Sequence, residues 1–455
     1  MSQPDLIAAA RQVVGPGPDV VETLAGTPHV VPPAVRAAGF AAMAVGALSL
    51  IYGLAFNDHD GQNRTLGVFL VCLVYFMGVS QGGVMFSVAQ TVSLGRWGRP
   101  FKRVAESFSM FLPFLWLMYA AFLVGGGLRI YEWHETPMHG AHKAVYLQPG
   151  FFMARQLVGT LVLFSMSLLF VRNSLRPDLG AAAEKLGDRA PAWWGRVTAG
   201  WRGTAIEVED AYQKNIKLGP AMVIAYAVIF SMVAVDAVMS LAPHWVSNMF
   251  PGWIFVSSFW LAINWICIIS VFTRKWLQVE HIQTPKNYHD LGKMMLALCI
   301  FWTYTMFAQV LPIWYGNMPE ETSYLLLRFF VAPWSGLSKV VGVMCFLFPF
   351  LVLLSRGIKK LPFSLAAVAI VIATGVFLER FLLVMPQVWM HDSLPLGPVE
   401  IGILAGFVGG FVTVVTTFLS QVPAVPFTDP FMNPNPADLH VHAHDGGADG
   451  HAHGH

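Results

Sequence analysis

The chain has 455 residues, 55% of them hydrophobic and only 12% charged, with a formal net charge of +2 at pH 7. A soluble domain of this length carries about 25% charged residues, so the composition excludes a soluble enzyme. The four cysteines, Cys72, Cys267, Cys299 and Cys345, stand in apolar stretches without a Cys-x-x-Cys pair, which argues against an iron–sulfur cluster or a covalently attached haem on this chain.

Residues 1–33 form an N-terminal segment lacking the basic-then-apolar pattern of a cleaved signal, so the first span is expected to serve as the targeting signal. Ten stretches follow, each long and apolar enough to cross a bilayer. They run Ala34 to Phe56, Leu66 to Thr91, Phe108 to Ile130, Phe151 to Val171, Leu218 to Ala242, Trp253 to Thr273, Leu291 to Tyr315, Ala332 to Ser355, Leu361 to Met385 and Ile401 to Ser420. The pattern predicts an all-α polytopic membrane domain over residues 34–420, with Trp133, Trp245, Trp253, Trp314, Tyr315 and Trp389 at span ends, where amphipathic rings favour the headgroup level. A polar insertion at residues 172–217 separates spans four and five, and its Trp193-Trp194 pair and arginines predict one or two interfacial helices. The tail, residues 421–455, is rich in Pro, Asp, Gly and His and is expected to be disordered beyond Asn433.

Charge orients the chain. Most of the 28 Lys and Arg, from Arg36 through Arg99, Lys102 and Arg103 to the insertion and then Arg274, Lys293, Arg356, Lys359 and Lys360, fall on the side of the N-terminus. The positive-inside rule then places both termini in the cytoplasm. These basic residues are accounted for by topology, so no nucleic-acid partner is expected.

Ionisable residues inside the spans are costly and mark function by default. On the non-cytoplasmic side stand Asp236, His244, Arg155, Arg328, Lys339, Glu379 and Arg380, with His134 in a flanking loop; on the cytoplasmic side stand Glu106, His289, Asp290 and Lys293. Taken singly, each reads as a helix-register pair or a headgroup contact. Together they supply the hydrogen-bond partners and bases that quinol oxidation needs, although a transporter needs a similar set. Gln309, Tyr304 and Ser240 are the polar side chains expected to link the two layers. A faint echo between the endings of spans three and seven, each followed by an arginine (Arg155, Arg328), reads either as two related bundles or as chance recurrence of aromatic and acidic residues at interfaces.

Four segments resemble a known family. They are His289-Asp290-Leu291-Gly292-Lys293 with its continuation to Asn317-Met318-Pro319-Glu320-Glu321-Thr322; Asp236-Ala237-Val238-Met239-Ser240-Leu241-Ala242-Pro243-His244-Trp245; Arg103 through Glu106 and Pro113 to Tyr131 and Trp133; and Val422-Pro423 to Asp429-Pro430. Together they look like the NrfD-like, polysulfide-reductase-type membrane subunits of alternative complex III, and the chain is more similar to the smaller of the two paralogues, the second quinone-binding subunit. Ala237 and Ala242 depart from the family pattern, which has Trp and an acid there, so a second carboxylate at the end of span five is missing. The resemblance implies ten helices in two four-helix bundles plus two peripheral helices, in the inner membrane of a bacterium. It further implies menaquinol or ubiquinol as the quinone, and no covalently bound cofactor on this chain. Its implied partners are a paralogous membrane subunit, an iron–sulfur/molybdopterin-type periplasmic subunit and c-type cytochromes, which would carry the haem and clusters and pass electrons to a periplasmic acceptor.

The tail histidines His440, His442, His444, His451, His453 and His455 are weak metal candidates, since imidazoles in a flexible chain bind only loosely. A proton-coupled secondary transporter and a purely structural membrane anchor are the rival functions.

Overall fold

The computed structural model describes residues 29–135, 141–429 and 431–432. The six tail histidines and the disorder expected beyond Asn433 lie outside the described residues, as does most of the N-terminal segment. Among the described residues every regular element is helical. Ten helices among the described residues are long and apolar enough to cross a membrane: α1 (Pro33–Ala55), α2 (His59–Val92), α3 (Arg99–Val124), α4 (Pro149–Arg189), α5 (Thr204–Leu241), α6 (Phe250–Thr273), α7 (Pro285–Gly316), α8 (Trp334–Leu353), α9 (Pro362–Val388) and α10 (Pro398–Gln421). The chain is a polytopic membrane protein. The end of the molecule holding Pro33 and Gln421 also gathers Arg99, Lys102, Arg103, Lys359 and Lys360, and is called the basic face below.

Helices α2 to α5 pack together as bundle one, and α6 to α9 as bundle two. The two meet where α2 lies against α6 and α9, while α1 and α10 pair with each other at the side of α2. Helix α2 is therefore buried along its whole apolar length.

Small residues make these contacts close. In lipid, helices gain little from apolar burial against one another, so association relies on tight packing. A Cβ added at Gly82 of α2 would come within 2.7 Å of the Ala262 Cβ of α6, and one at Gly78 within 2.9 Å of the Ser258 Oγ, so Gly78 and Gly82 face Ser258 and Ala262 in a small-xxx-small seam. The α1–α10 pair uses the same device, with a Cβ at Gly406 falling 2.7 Å from the Cα of Gly46.

Two expectations about local structure change. Helix α3 begins at Arg99 rather than Phe108, because a 3-10 turn at Phe108–Phe111 carries the helical path from Lys102–Ser107 into Leu112–Val124. Arg103 and Glu106 thus sit on the helix. The insertion is not a separate interfacial element: α4 and α5 extend into it, closed by short turns at Gly187–Arg189 and Trp194–Val197. Its reason is visible in the buried stripe Leu175, Leu179, Ala182, which continues the inward face of α4, and in Arg176, which clamps Glu207 of α5 through Nε at 2.7 Å and Nη2 at 3.0 Å. Trp194 is buried, its Nε1 donating to the Gln421 carbonyl at 3.0 Å.

Candidate functional site

Polar side chains enter bundle one at three depths. Nearest the face opposite the basic one, Asp236 is wholly buried where the last turns of α5 widen into a π-helical turn, Ala234–Val238. Such turns rotate side chains out of the regular register and recur at functional sites. The Asp236 carboxylate accepts from Arg155 Nε at 2.8 Å, Gln156 Nε2 at 2.6 Å and Tyr146 Oη at 2.9 Å. Tyr119 Oη donates to the Gln156 Oε1 at 3.0 Å, so the amide is oriented with its NH2 toward Asp236. The Arg155 guanidinium lies 3.9 Å from the Tyr146 ring centroid and 4.7 Å from that of Phe151, and its Nη2 is buried with no hydrogen-bond partner among the described residues. Burial and the Asp236 charge push the Tyr146 hydroxyl up to about 12, so it stays a proton donor to the carboxylate at neutral pH. Tyr146 belongs to the short helix Ala141–Tyr146 at the surface, which sets the cluster at the mouth of the bundle.

At mid-depth, Ser167 of α4 has its hydroxyl 3.0 Å from Gln81 Oε1 of α2 and 2.9 Å from the Leu163 carbonyl, with one proton to share between them. Gln81 Nε2 and the neighbouring Ser80 Oγ are buried with no partner among the described residues. Thr160 lies between this rung and Gln156, whose carbonyl it bonds at 2.6 Å.

Toward the basic face, Ser87 Oγ donates to Glu106 Oε1 at 2.9 Å, and Arg103 Nη1 donates to Glu106 Oε2 at 2.5 Å. Arg103 Nη2 reaches across to Asp178 of α4. The other Asp178 oxygen accepts the Thr428 backbone N–H at 2.9 Å and its hydroxyl at 2.5 Å. Thr428 lies on the strap that follows α10. The next residue, Asp429, pairs with Arg99 and with Lys102 Nζ at 2.9 Å, and Phe431 packs against the Arg99 guanidinium. The cluster balances three cations, Arg99, Lys102 and Arg103, against three carboxylates, Glu106, Asp178 and Asp429. Within it, Arg103 bridges the two carboxylates Glu106 and Asp178. A cavity of about 50 Å³, lined by Asp178, Tyr212, Asn215 and Asp429 among others, opens beside it and has room for water.

Bundle two is closed by comparison. Glu379 and Arg380 are both buried and bonded to each other at 2.5 Å. Glu379 Oε2 also accepts from Trp302 Nε1 at 3.1 Å, and Arg380 Nη2 donates to Ser257 Oγ at 2.6 Å and Ser258 Oγ at 3.2 Å. Among the described residues, Arg328 faces no carboxylate. It donates to the carbonyls of Leu382, Leu383 and Tyr324 at 3.0 to 3.1 Å, with its guanidinium 3.4 Å from the Tyr324 ring centroid.

The remaining sequence-derived candidates scatter. His244 is exposed, 3.8 Å from Glu132, and His134 is exposed next to Trp133. His289, Asp290 and Lys293 form a rim on the basic face under bundle two, with Lys293 Nζ 2.6 Å from Asp290. Gln309 accepts from Ser247 at 3.1 Å within bundle two, and Tyr304 is 62% exposed on an outer surface, so neither lies between Asp236 and Glu106. Ser240 does touch the site, donating to the Asp236 carbonyl at 2.5 Å. The side chains that do lie along bundle one are Gln81, Tyr119, Gln156, Thr160, Ser167 and Asp178. Sequence reasoning passed over them because neutral polar residues in a span read as packing, and because Asp178 falls in the apparent insertion. Among the described residues no cluster of His, Cys, Asp and Glu could hold a metal ion. No protein-family model matches the chain, and no curated protein matches it.

Proposed function

We propose that this chain is the membrane subunit of an alternative-complex-III-type quinol oxidoreductase of the bacterial inner membrane, with the basic face in the cytoplasm, and that bundle one carries protons associated with quinol oxidation. The observation that carries the reading is the meeting of three of the four family-like segments in bundle one. The Asp236 to Trp245 segment supplies the carboxylate at one mouth, the segment from Arg103 supplies the Arg103–Glu106 pair at the other, and Asp429, from the Val422 to Pro430 segment, docks on that pair's neighbours. A carboxylate held by an arginine, a glutamine and a tyrosine at the mouth of the bundle is a group of the chemistry that proton transfer needs. The Gln81–Ser167 rung, with unpartnered polar atoms that water would satisfy, bridges the interior.

Electrons must travel elsewhere. On this reading, partner subunits bearing haem and iron–sulfur clusters, which the resemblance implies, receive the electrons from quinol. A quinone needs hydrogen bonds to both oxygens, and Arg155 Nη2, which has no partner among the described residues, offers a donor for one of them. The test is affinity purification of the full chain from native membranes in mild detergent. Haem absorbance and an iron–sulfur protein should co-purify, together with quinol:cytochrome c reductase activity. Recovery of the chain without haem-bearing partners, in membranes that contain them, would overturn the assignment and favour a proton-coupled transporter.

A further inference from the structure

On the basic face under bundle two, the turn between α8 and α9 contains the helix Arg356–Lys360, which packs on the start of α7. The Lys359 side chain lies across Gly292, where an added Cβ would fall 2.7 Å from its Cγ and 3.1 Å from its Cβ and Cδ. The residue is 7% exposed, so its stem is held against the start of α7. Arg356, Lys293 and Lys359 all lie within electrostatic reach of His289. The only carboxylate in that group, Asp290, is taken up by Lys293 at 2.6 Å. Among the described residues no carboxylate lies within ion-pair distance of Lys359 or Arg356. Burial, and after it the Lys293 charge, lower the Lys359 ammonium from its ordinary value.

We infer that this cationic edge binds a phosphate-bearing anion, with Lys359 as the held cation and Arg356, on the same short helix, as the second, and that the headgroup of an anionic phospholipid is its source. The position favours lipid because the site lies at the end of three spans, where a headgroup phosphate reaches it while the acyl chains run down the exposed flank of α7. The inference does not rest on the proton reading of bundle one.

The experiment uses the full chain in detergent, delipidated and titrated with phosphatidylglycerol, with phosphatidylcholine, or with inorganic phosphate, reading thermal stability and bound lipid by native mass spectrometry. Phosphatidylglycerol should stabilise the wild type and remain bound, and phosphatidylcholine should not. Lys359→Met keeps a stem against Gly292 and should bind phosphatidylglycerol about fivefold more weakly, whereas Arg96→Gln, which removes another exposed cation of the same face, should bind as the wild type does. Gly292→Ala retains every charge yet displaces the Lys359 stem and should weaken binding in the same direction. Equal binding by wild type and Lys359→Met, or equal stabilisation by phosphatidylcholine, would overturn the site. Stabilisation by inorganic phosphate with no lipid bound would overturn the headgroup as its source.

Discussion

Arg328 donates its Nε hydrogen to the carbonyl of Leu382 at 3.1 Å, and Leu382 is the residue four positions before Pro386 in α9. Proline has no N–H, so that carbonyl loses its intrahelical donor, and the guanidinium replaces it. This accounts for a buried arginine without a carboxylate. Arg328→Gln should lower stability by about 2–4 kcal/mol through carbonyls left unpaired. In a Pro386→Ala background, where the helix can donate to Leu382 again, the same substitution should cost less. Thermal unfolding of the four proteins in detergent measures the coupling, and strictly additive effects would contradict the account.

Gly46 and Gly406 approach so closely that neither tolerates a side chain without backbone movement. Gly46→Ala should reduce the melting temperature modestly and Gly46→Leu severely, by separating α1 from α10. Since neither helix contributes to the Asp236 cluster, proton-linked activity in the protein that remains folded should be unaltered. A graded loss by size, measured by thermal unfolding, is the expected result; a Leu variant as stable as the wild type would exclude the seam.

The Glu379–Arg380 pair is expected to be structural. Removing one partner leaves the other buried and uncompensated, so Glu379→Leu should destabilise by about 3–5 kcal/mol, while Glu379→Leu with Arg380→Met should cost much less. Neither should change the number of protons moved per electron. A full-stability Glu379→Leu protein with altered proton stoichiometry would return this pair to the proton route.

Burial alone would raise the Asp429 carboxyl, but Arg99 and Lys102 beside it, with the Lys102 and Phe431 hydrogen bonds, hold it below the usual carboxylate range. A depressed folded value means that its stabilisation is fully present above the unfolded aspartate value of about 3.9 and is lost as pH falls through the folded value. Asp429→Asn should therefore melt lower than the wild type at pH 7, with the difference shrinking below about pH 4. A difference that grows on acidification would contradict the sign.

The ten spans were legible because a run of some twenty apolar residues has few other readings in water or lipid. Asp236 and Glu379 were legible for the complementary reason that a charge within such a run stands out. What sequence could not supply was pairing: Arg103 meets Asp178 across 75 positions and Thr428 meets Asp178 across 250, contacts that only the packed bundle creates. The π-helical turn that aims Asp236 has no signature in its residues. The insertion misled because its polar residues lie on the outer side of helices whose buried stripe continues from the spans, so average polarity hid the periodicity.

The central claim is that protons cross bundle one through Asp236, and the most direct test is the proton-to-electron ratio of the reconstituted assembly carrying Asp236→Asn. Asparagine keeps the side-chain shape and can still meet Tyr146 and Gln156, but it cannot titrate. The account predicts an assembled complex, retaining its haem-bearing partners, with fewer protons released per electron than the wild type. An unchanged ratio at full turnover would contradict it and leave Asp236 as no more than the ion-pair partner of Arg155.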